Sequence, residues 1–174
     1  MDNILIRGVN WIGDAVMTIP ALKAVRKAYP DSKISLLIKP AIAAVFEKNL
    51  DIDEIIIYED RFNGVLGKFK LASVLRKRRF SKAILLQNAF DAAAAVFLSG
   101  IPERIGYNRD GRGFMLTKPV SFRNDDREMH HINYYLHMLE KAGMEADYSA
   151  PWIHISMDER ITARQRLAEL KRPI

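Results

Sequence analysis

The chain has no cysteine. Disulfides and thiolate chemistry are therefore excluded, and a reducing compartment suits it. The signatures of several catalytic classes are missing as well. No H-E-x-x-H or Cys-His pattern offers metal ligands, and no G-x-S-x-G elbow presents a serine nucleophile. Among the histidines, His130 and His137 stand about two helical turns apart, too far to share an ion, and His131 and His137 point to different faces. No D-x-D pair follows a strand-like run, which points to metal-free chemistry. Gly8 and Gly13 match the first half of a phosphate-binding loop, but Asp14 and Ala15 occupy the places of its lysine and hydroxyl residue, and a carboxylate repels phosphate. Asn10 breaks the dinucleotide fingerprint G-x-G-x-x-G. Long apolar runs are also lacking. The longest, Ala92 to Leu98, is far below the roughly 20 residues of a membrane span. No basic stretch followed by an apolar segment opens the chain, so no secretory signal is visible. Internal repeats and low-complexity tracts are absent.

What is present is enough for one ordinary globular domain: 174 residues, 49% hydrophobic. The net charge of +6 and a pI near 9.6 favour anionic partners without choosing among them. The densest basic run, Arg76-Lys77-Arg78-Arg79 with Lys82 beyond, closes an expected helix. Cations there complement the helix C-terminus and read as a solvated face. The nearby aromatics form no stacking array, so nucleic acid is not the expected partner.

Short runs rich in Ile, Leu and Val predict buried parallel strands at Ile4–Arg7, Lys33–Ile38, Glu54–Tyr58, Lys82–Gln87 and Arg104–Gly106. Helical spacing predicts Gly13–Ala28 with a break near Pro20, then Pro40–Asn49, Lys68–Arg79, a buried Phe90–Leu98 and Met129–Ala142. Asp158 is expected to cap a last helix running to about Lys171, and Ile174 reads as the first residue of a further strand. Gly106 to Asn124 reads as a long polar loop carrying Arg109, Arg112 and Arg123. Strand-helix alternation predicts an α/β fold: an open, mainly parallel, Rossmann-like sheet with helices on both faces.

Such sheets bind ligands at the carboxyl ends of their strands. The segment Ile4-Leu5-Ile6-Arg7-Gly8-Val9-Asn10-Trp11-Ile12-Gly13-Asp14 is a strand, a turn and a helix start, and it aims Asp14 at that edge. As a simple helix-dipole partner, Asp14 would contribute about one kcal/mol at most. As a general base it would take the proton of a hydroxyl as that oxygen attacks. Arginines in neighbouring loops suit an anionic substrate, because the guanidinium is a rigid fork of donors.

Asn10-Trp11-Ile12-Gly13-Asp14-Ala15-Val16-Met17-Thr18-Ile19-Pro20-Ala21-Leu22 resembles the opening motif of the ADP-heptose:lipopolysaccharide heptosyltransferases, glycosyltransferase family nine. The Trp-Ile-Gly-Asp form is most similar to the branch that adds the second inner-core heptose. Leu86-Gln87-Asn88-Ala89-Phe90 and the stretch from Phe97 to Tyr107 resemble the family's fourth strand, buried helix and following turn, and His131-Ile132-Asn133-Tyr134-Tyr135 its His-containing helix start. The resemblance implies a GT-B enzyme that inverts the anomeric centre without metal or other cofactor. It makes residues 1–150 the acceptor-binding half and 151–174 a linker helix with the start of a nucleotide-sugar domain. Asp14 is then the catalytic base, with Asn10, Trp11, Arg61, Asn88, Arg109, Arg112 and His131 binding the phosphorylated, lipid-linked inner core. ADP-heptose would be bound by the second domain, so the chain by itself is expected to be inactive. The implied location is cytoplasmic, compatible with peripheral association at the inner face of the inner membrane. Two other readings remain open on sequence grounds: a stand-alone α/β module for an anionic phosphosugar or nucleotide, and a basic nucleic-acid binder using Arg76–Arg79.

Overall fold

The computed structural model describes residues 2–123 and 128–170. Its strands are β1 (Asn3–Arg7), β2 (Lys33–Ile38), β3 (Glu54–Ile57), β4 (Lys82–Leu85), β5 (Glu103–Asn108) and β6 (Lys118–Ser121). Its helices are α1 (Ile12–Met17), α2 (Ile19–Ala28), α3 (Pro40–Ala43), α4 (Gly64–Lys77), α5 (Phe90–Ser99), α6 (His131–Lys141) and α7 (Met157–Leu170). The strands form one sheet in the order β3-β2-β1-β4-β5-β6, and every neighbouring pair is parallel. The expected open α/β sheet is therefore present, with its order reversing between β1 and β4.

Side-chain alternation divides the core. Ile4, Ile6, Ile34, Leu36, Ile38, Ile84, Ile105 and Tyr107 face a layer built from α1, α2 and α6. Leu5, Leu37, Ala83 and Leu85 face the opposite layer, built from α4 and α5. The inner strands β1, β2 and β4 are buried on both sides, which is why their sequences show continuous apolar runs instead of alternation.

Proline sets two boundaries. Pro20 has no amide hydrogen to donate to Val16, and the expected long helix splits into α1 and α2 at Thr18, whose hydroxyl bonds to the Ala15 carbonyl at 2.7 Å. Pro40 opens α3, which ends at Ala43 and continues only as turns, well short of the expected Asn49. Three other expectations are corrected. The expected loop from Gly106 to Asn124 contains a sixth strand; Pro119 breaks the apolar pattern of β6, and edge strands tolerate proline. Asn124 itself lies outside the described residues. The expected buried helix, α5, leaves Phe90 and Phe97 exposed. The last helix is capped not by Asp158 but by a reciprocal Ser156–Glu159 box, in which the Ser156 amide reaches Glu159 at 2.7 Å and the Glu159 amide reaches the Ser156 hydroxyl at 3.2 Å. The strand expected from Ile174 falls outside the described residues. Among the described residues no helix is long and apolar enough to cross a membrane.

Candidate functional site

Two neighbouring strands whose connections leave in opposite directions open a crevice at their carboxyl ends. Here those strands are β1 and β4, and the turns after them carry Asp14 and Asn88. The β1 turn depends on Gly8: a Cβ there would lie 2.6 Å from Ile38, so a side chain would push the turn off β2. Arg7 fixes the turn from beneath. Its buried guanidinium donates to the Gly8 carbonyl at 2.7 Å, to the Leu37 carbonyl at 3.1 Å and to Asn10 Oδ1 at 3.3 Å. Burial pushes Arg7 down to about 10, leaving it a cation at neutral pH. Trp11 is the extended N-cap of α1, and Asp14 falls in that helix's first turn.

Asp14 lines an open cavity of about 560 Å³ together with Asn88, Arg109, Met129, His131, Tyr134 and Tyr135. His131, the first residue of α6, places Nδ1 at 3.0 Å from Asp14 Oδ1. The contact does not bury the carboxylate, whose side chain stays 30% exposed. Its charge is felt on the far wall. Burial first, then the charge of Asp14, raises the Tyr135 phenol well above its ordinary range.

A relay of hydrogen bonds builds the second wall. Arg112 Nη2 donates to Asn88 Oδ1 at 3.0 Å, and Asn88 Nδ2 donates to the Tyr134 hydroxyl at 2.7 Å. Arg109 Nη1 approaches the same hydroxyl at 3.5 Å, with its guanidinium 4.6 Å over the Phe122 ring. Tyr134 oxygen thus accepts from two sides, and neither bond uses its own proton. Burial would lower Arg109, but Tyr134 and Asp110 outweigh it and hold the guanidinium above its usual value.

Of the expected site residues, Asp14, Asn88, Arg109 and His131 come together around one cavity. Arg112 does not reach it. Its side chain is 0% exposed and donates to the carbonyls of Tyr107 and Gln87 besides Asn88, so the expected direct contact with substrate is not open to it. Gly106 leaves room for it, since a Cβ there would meet Arg112 Nη2 at 3.2 Å. Arg61 sits on the short turn after β3, exposed and paired with Glu59 at 2.6 Å, away from the cavity lining. Asn10 braces the turn through Arg7, and Trp11 stands 75% exposed at its tip. Tyr134 and Tyr135 were not anticipated as site residues. Their sequence signal is the aromatic pair that begins three residues beyond His131, a pattern that a helix packed on the core also provides. Among the described residues no cluster of His, Cys, Asp or Glu could hold a metal ion.

Comparison with known proteins bears on this arrangement. Residues 68–174 match the profile of Glycosyltransferase family 9 (heptosyltransferase). The lipopolysaccharide heptosyltransferase 2 of Escherichia coli K12 is 27% identical over 116 residues, which are 66% of this chain and 33% of that protein. The lipooligosaccharide heptosyltransferase 2 of Haemophilus ducreyi is 28% identical over 126 residues, 70% of this chain and 35% of that one. The matched stretch thus spans about a third of these relatives' length. Among solved structures, the glycosyl transferase family 9 protein of Veillonella parvula superimposes with a TM-score of 0.83 at 24% identity, covering 99% of this chain and 52% of that one. E. coli ADP-heptose lipopolysaccharide heptosyltransferase II does so with a TM-score of 0.75 at 21% identity, covering 97% of this chain and 51% of its own. These two likenesses show the fold.

Proposed function

The chain belongs to glycosyltransferase family 9, the heptosyltransferases, and from that premise we propose that it is the acceptor-binding half of an inverting, metal-independent GT-B enzyme. In this reading the enzyme moves heptose from ADP-heptose to the lipopolysaccharide inner core. The donor would be held by a second domain facing the cavity, so the chain alone would bind acceptor without turning over. A cytoplasmic location with peripheral membrane association fits a lipid-linked acceptor and the charge of +6.

The observation that carries this reading is the reachable carboxylate of Asp14, held by His131 at 3.0 Å on the rim of a polar cavity at the sheet's switch point. The acceptor hydroxyl would place its proton on Asp14 as its oxygen attacks the anomeric carbon. The bond from that carbon to the diphosphate breaks, ADP leaves with the electron pair, and the proton passes from Asp14 to water. Attack from the face opposite the leaving group inverts the centre. His131 would fix the orientation of the carboxylate, while its other ring nitrogen has no partner among the described residues and can meet the acceptor. Arg109 supplies positive charge for phosphate or carboxylate on the inner core, and Tyr134 supplies a neutral donor.

In the protein with its donor domain, Asp14→Asn is expected to lower kcat by about 10²–10⁴-fold while circular dichroism is unchanged. Near-normal turnover would remove Asp14 from the role of base. Acceptor binding is checked separately by calorimetry with a deacylated, phosphorylated inner-core oligosaccharide. Arg109→Ala is expected to weaken it by about tenfold or more, the loss of a charged hydrogen bond.

A further inference from the structure

On the face of the sheet opposite α1 and α6, an apolar surface lies open. Val65, Phe69, Phe90, Ala94 and Leu98 line a groove of about 490 Å³ between α4 and α5. Leu66 stands beside Val65, both 76% exposed, and the Phe114 ring, 72% exposed, lies tilted with its centroid 6.4 Å from that of Phe90. Contiguous exposed apolar side chains on this scale mark a surface that meets something.

The charges around it indicate what. Helix α4 is amphipathic along its length as well as around its circumference. Its first turns expose Val65, Leu66 and Phe69, and from Lys70 onward its exposed side turns basic with Lys77 and then Arg79. Lys70, Lys77 and Arg79 form no ion pair among the described residues. The acidic side chains at the apolar end are largely occupied: Asp91 pairs with Lys68 at 2.7 Å, Glu59 with Arg61 at 2.6 Å, and Asp60 accepts from Asn63 at 3.4 Å. An apolar tip continued by a cationic stripe matches a bilayer whose headgroups are anionic. It does not match a second copy of the chain, which would bring the same cations and another +6.

We propose that the exposed face of α4, the start of α5 and the Phe114 turn dock on an anionic lipid bilayer, with the aromatic and aliphatic side chains entering the headgroup layer and the α4 cations over it. The inference rests on the proposed lipid-linked acceptor and says how that acceptor is met. Helices α4 and α5 both begin at the carboxyl edge of the sheet, and Asn88, two residues before Phe90, already lines the Asp14 cavity. A bilayer seated on this face lies beside the opening that the sugar must enter. Apolar insertion and charge attraction together are what hold a peripheral protein on a membrane.

The test is flotation of the full chain with vesicles of equimolar phosphatidylethanolamine and phosphatidylglycerol, against vesicles of phosphatidylcholine alone. The chain is expected to float with the anionic vesicles and to be released as salt is raised. The variant Leu66→Ser/Phe69→Ser, at two exposed positions, and the variant Lys70→Glu are each expected to weaken partitioning by about tenfold or more with circular dichroism intact. Asp14→Asn is expected to float like the unmodified chain. No flotation at low salt, or flotation that Leu66→Ser/Phe69→Ser leaves unchanged, overturns the proposal. So does a doubling of solution mass that the same variant abolishes, which would assign the groove to a second copy. A chain that binds the soluble inner-core oligosaccharide but ignores vesicles would sink this inference and leave the proposed function standing. A chain that binds vesicles but not the oligosaccharide would do the reverse.

Discussion

Gly13 and Asp14 are neighbours in the first turn of α1, yet they separate stability from function. A Cβ on Gly13 would meet nothing within 4 Å, and its backbone is not left-handed. Gly13→Ala is therefore expected to hold or raise the thermal midpoint, because alanine favours a helix over glycine by about 0.8–1.0 kcal/mol. The same methyl projects from the turn that presents the base, and acceptor affinity measured by calorimetry is expected to fall. A second prediction at this scale concerns alkali. Burial first, aided by neighbouring charge at Tyr135, raises the phenols of Tyr134 and Tyr135 above the ordinary value of 10. A group raised in the folded state stabilises it below the unfolded value and loses that contribution as pH climbs through the folded one. Both phenols should thus titrate late in tyrosinate absorbance, with stability dropping above pH 10. Tyr135→Phe should flatten that drop. Asp14 was legible in the sequence because a strand, a turn and a helix start place it by local rules alone. Arg112 was not, because a loop arginine looks the same whether it greets solvent or satisfies buried carbonyls.

At the scale of elements, α4 is set by its approach to the turn after β3. A Cβ on Gly67 would fall 2.4 Å from the Phe62 carbonyl carbon, which is backbone and cannot swing away. Gly67→Ala is expected to cost about 1–3 kcal/mol in urea unfolding, the usual penalty of overpacking. Asp53 ties α2, β2 and β3 together, accepting from the Ile34 amide at 2.7 Å and from Arg26 at 2.6 Å. Burial pushes its carboxyl up, but these two partners prevail and hold it below the ordinary 3.8. Asp53→Ala is expected to cost about 1–2 kcal/mol at neutral pH. A lowered carboxyl stabilises above its unfolded value and ceases to do so as pH falls through the folded one, so the deficit should fade below pH 3.8. Five strands and the break at Pro20 followed from composition and spacing. The sixth strand did not, since four residues with a central proline carry almost no periodic signal. The docking face was equally hidden: its members come from α4, α5 and a turn, so no window along the chain contains them.

At the scale of the whole molecule, the order β3-β2-β1-β4-β5-β6 decides where the site lies before any side chain is considered. Strand-helix alternation indicates the class of fold and the edge that bears ligands. It could not give the neighbours of β1, because strand order is settled by packing between distant segments. The surplus of positive charge acts at this scale too. Association with a phosphorylated acceptor should slow as ionic strength rises, with dissociation changing less, as stopped-flow measurements would reveal.

The outermost strand carries one more consequence. Pro119, opposite Gly106 in register, removes an amide hydrogen from a ribbon only four residues long. Along that border the molecule offers a poor template for annealing another polypeptide, and runaway fibre growth by strand addition is discouraged there.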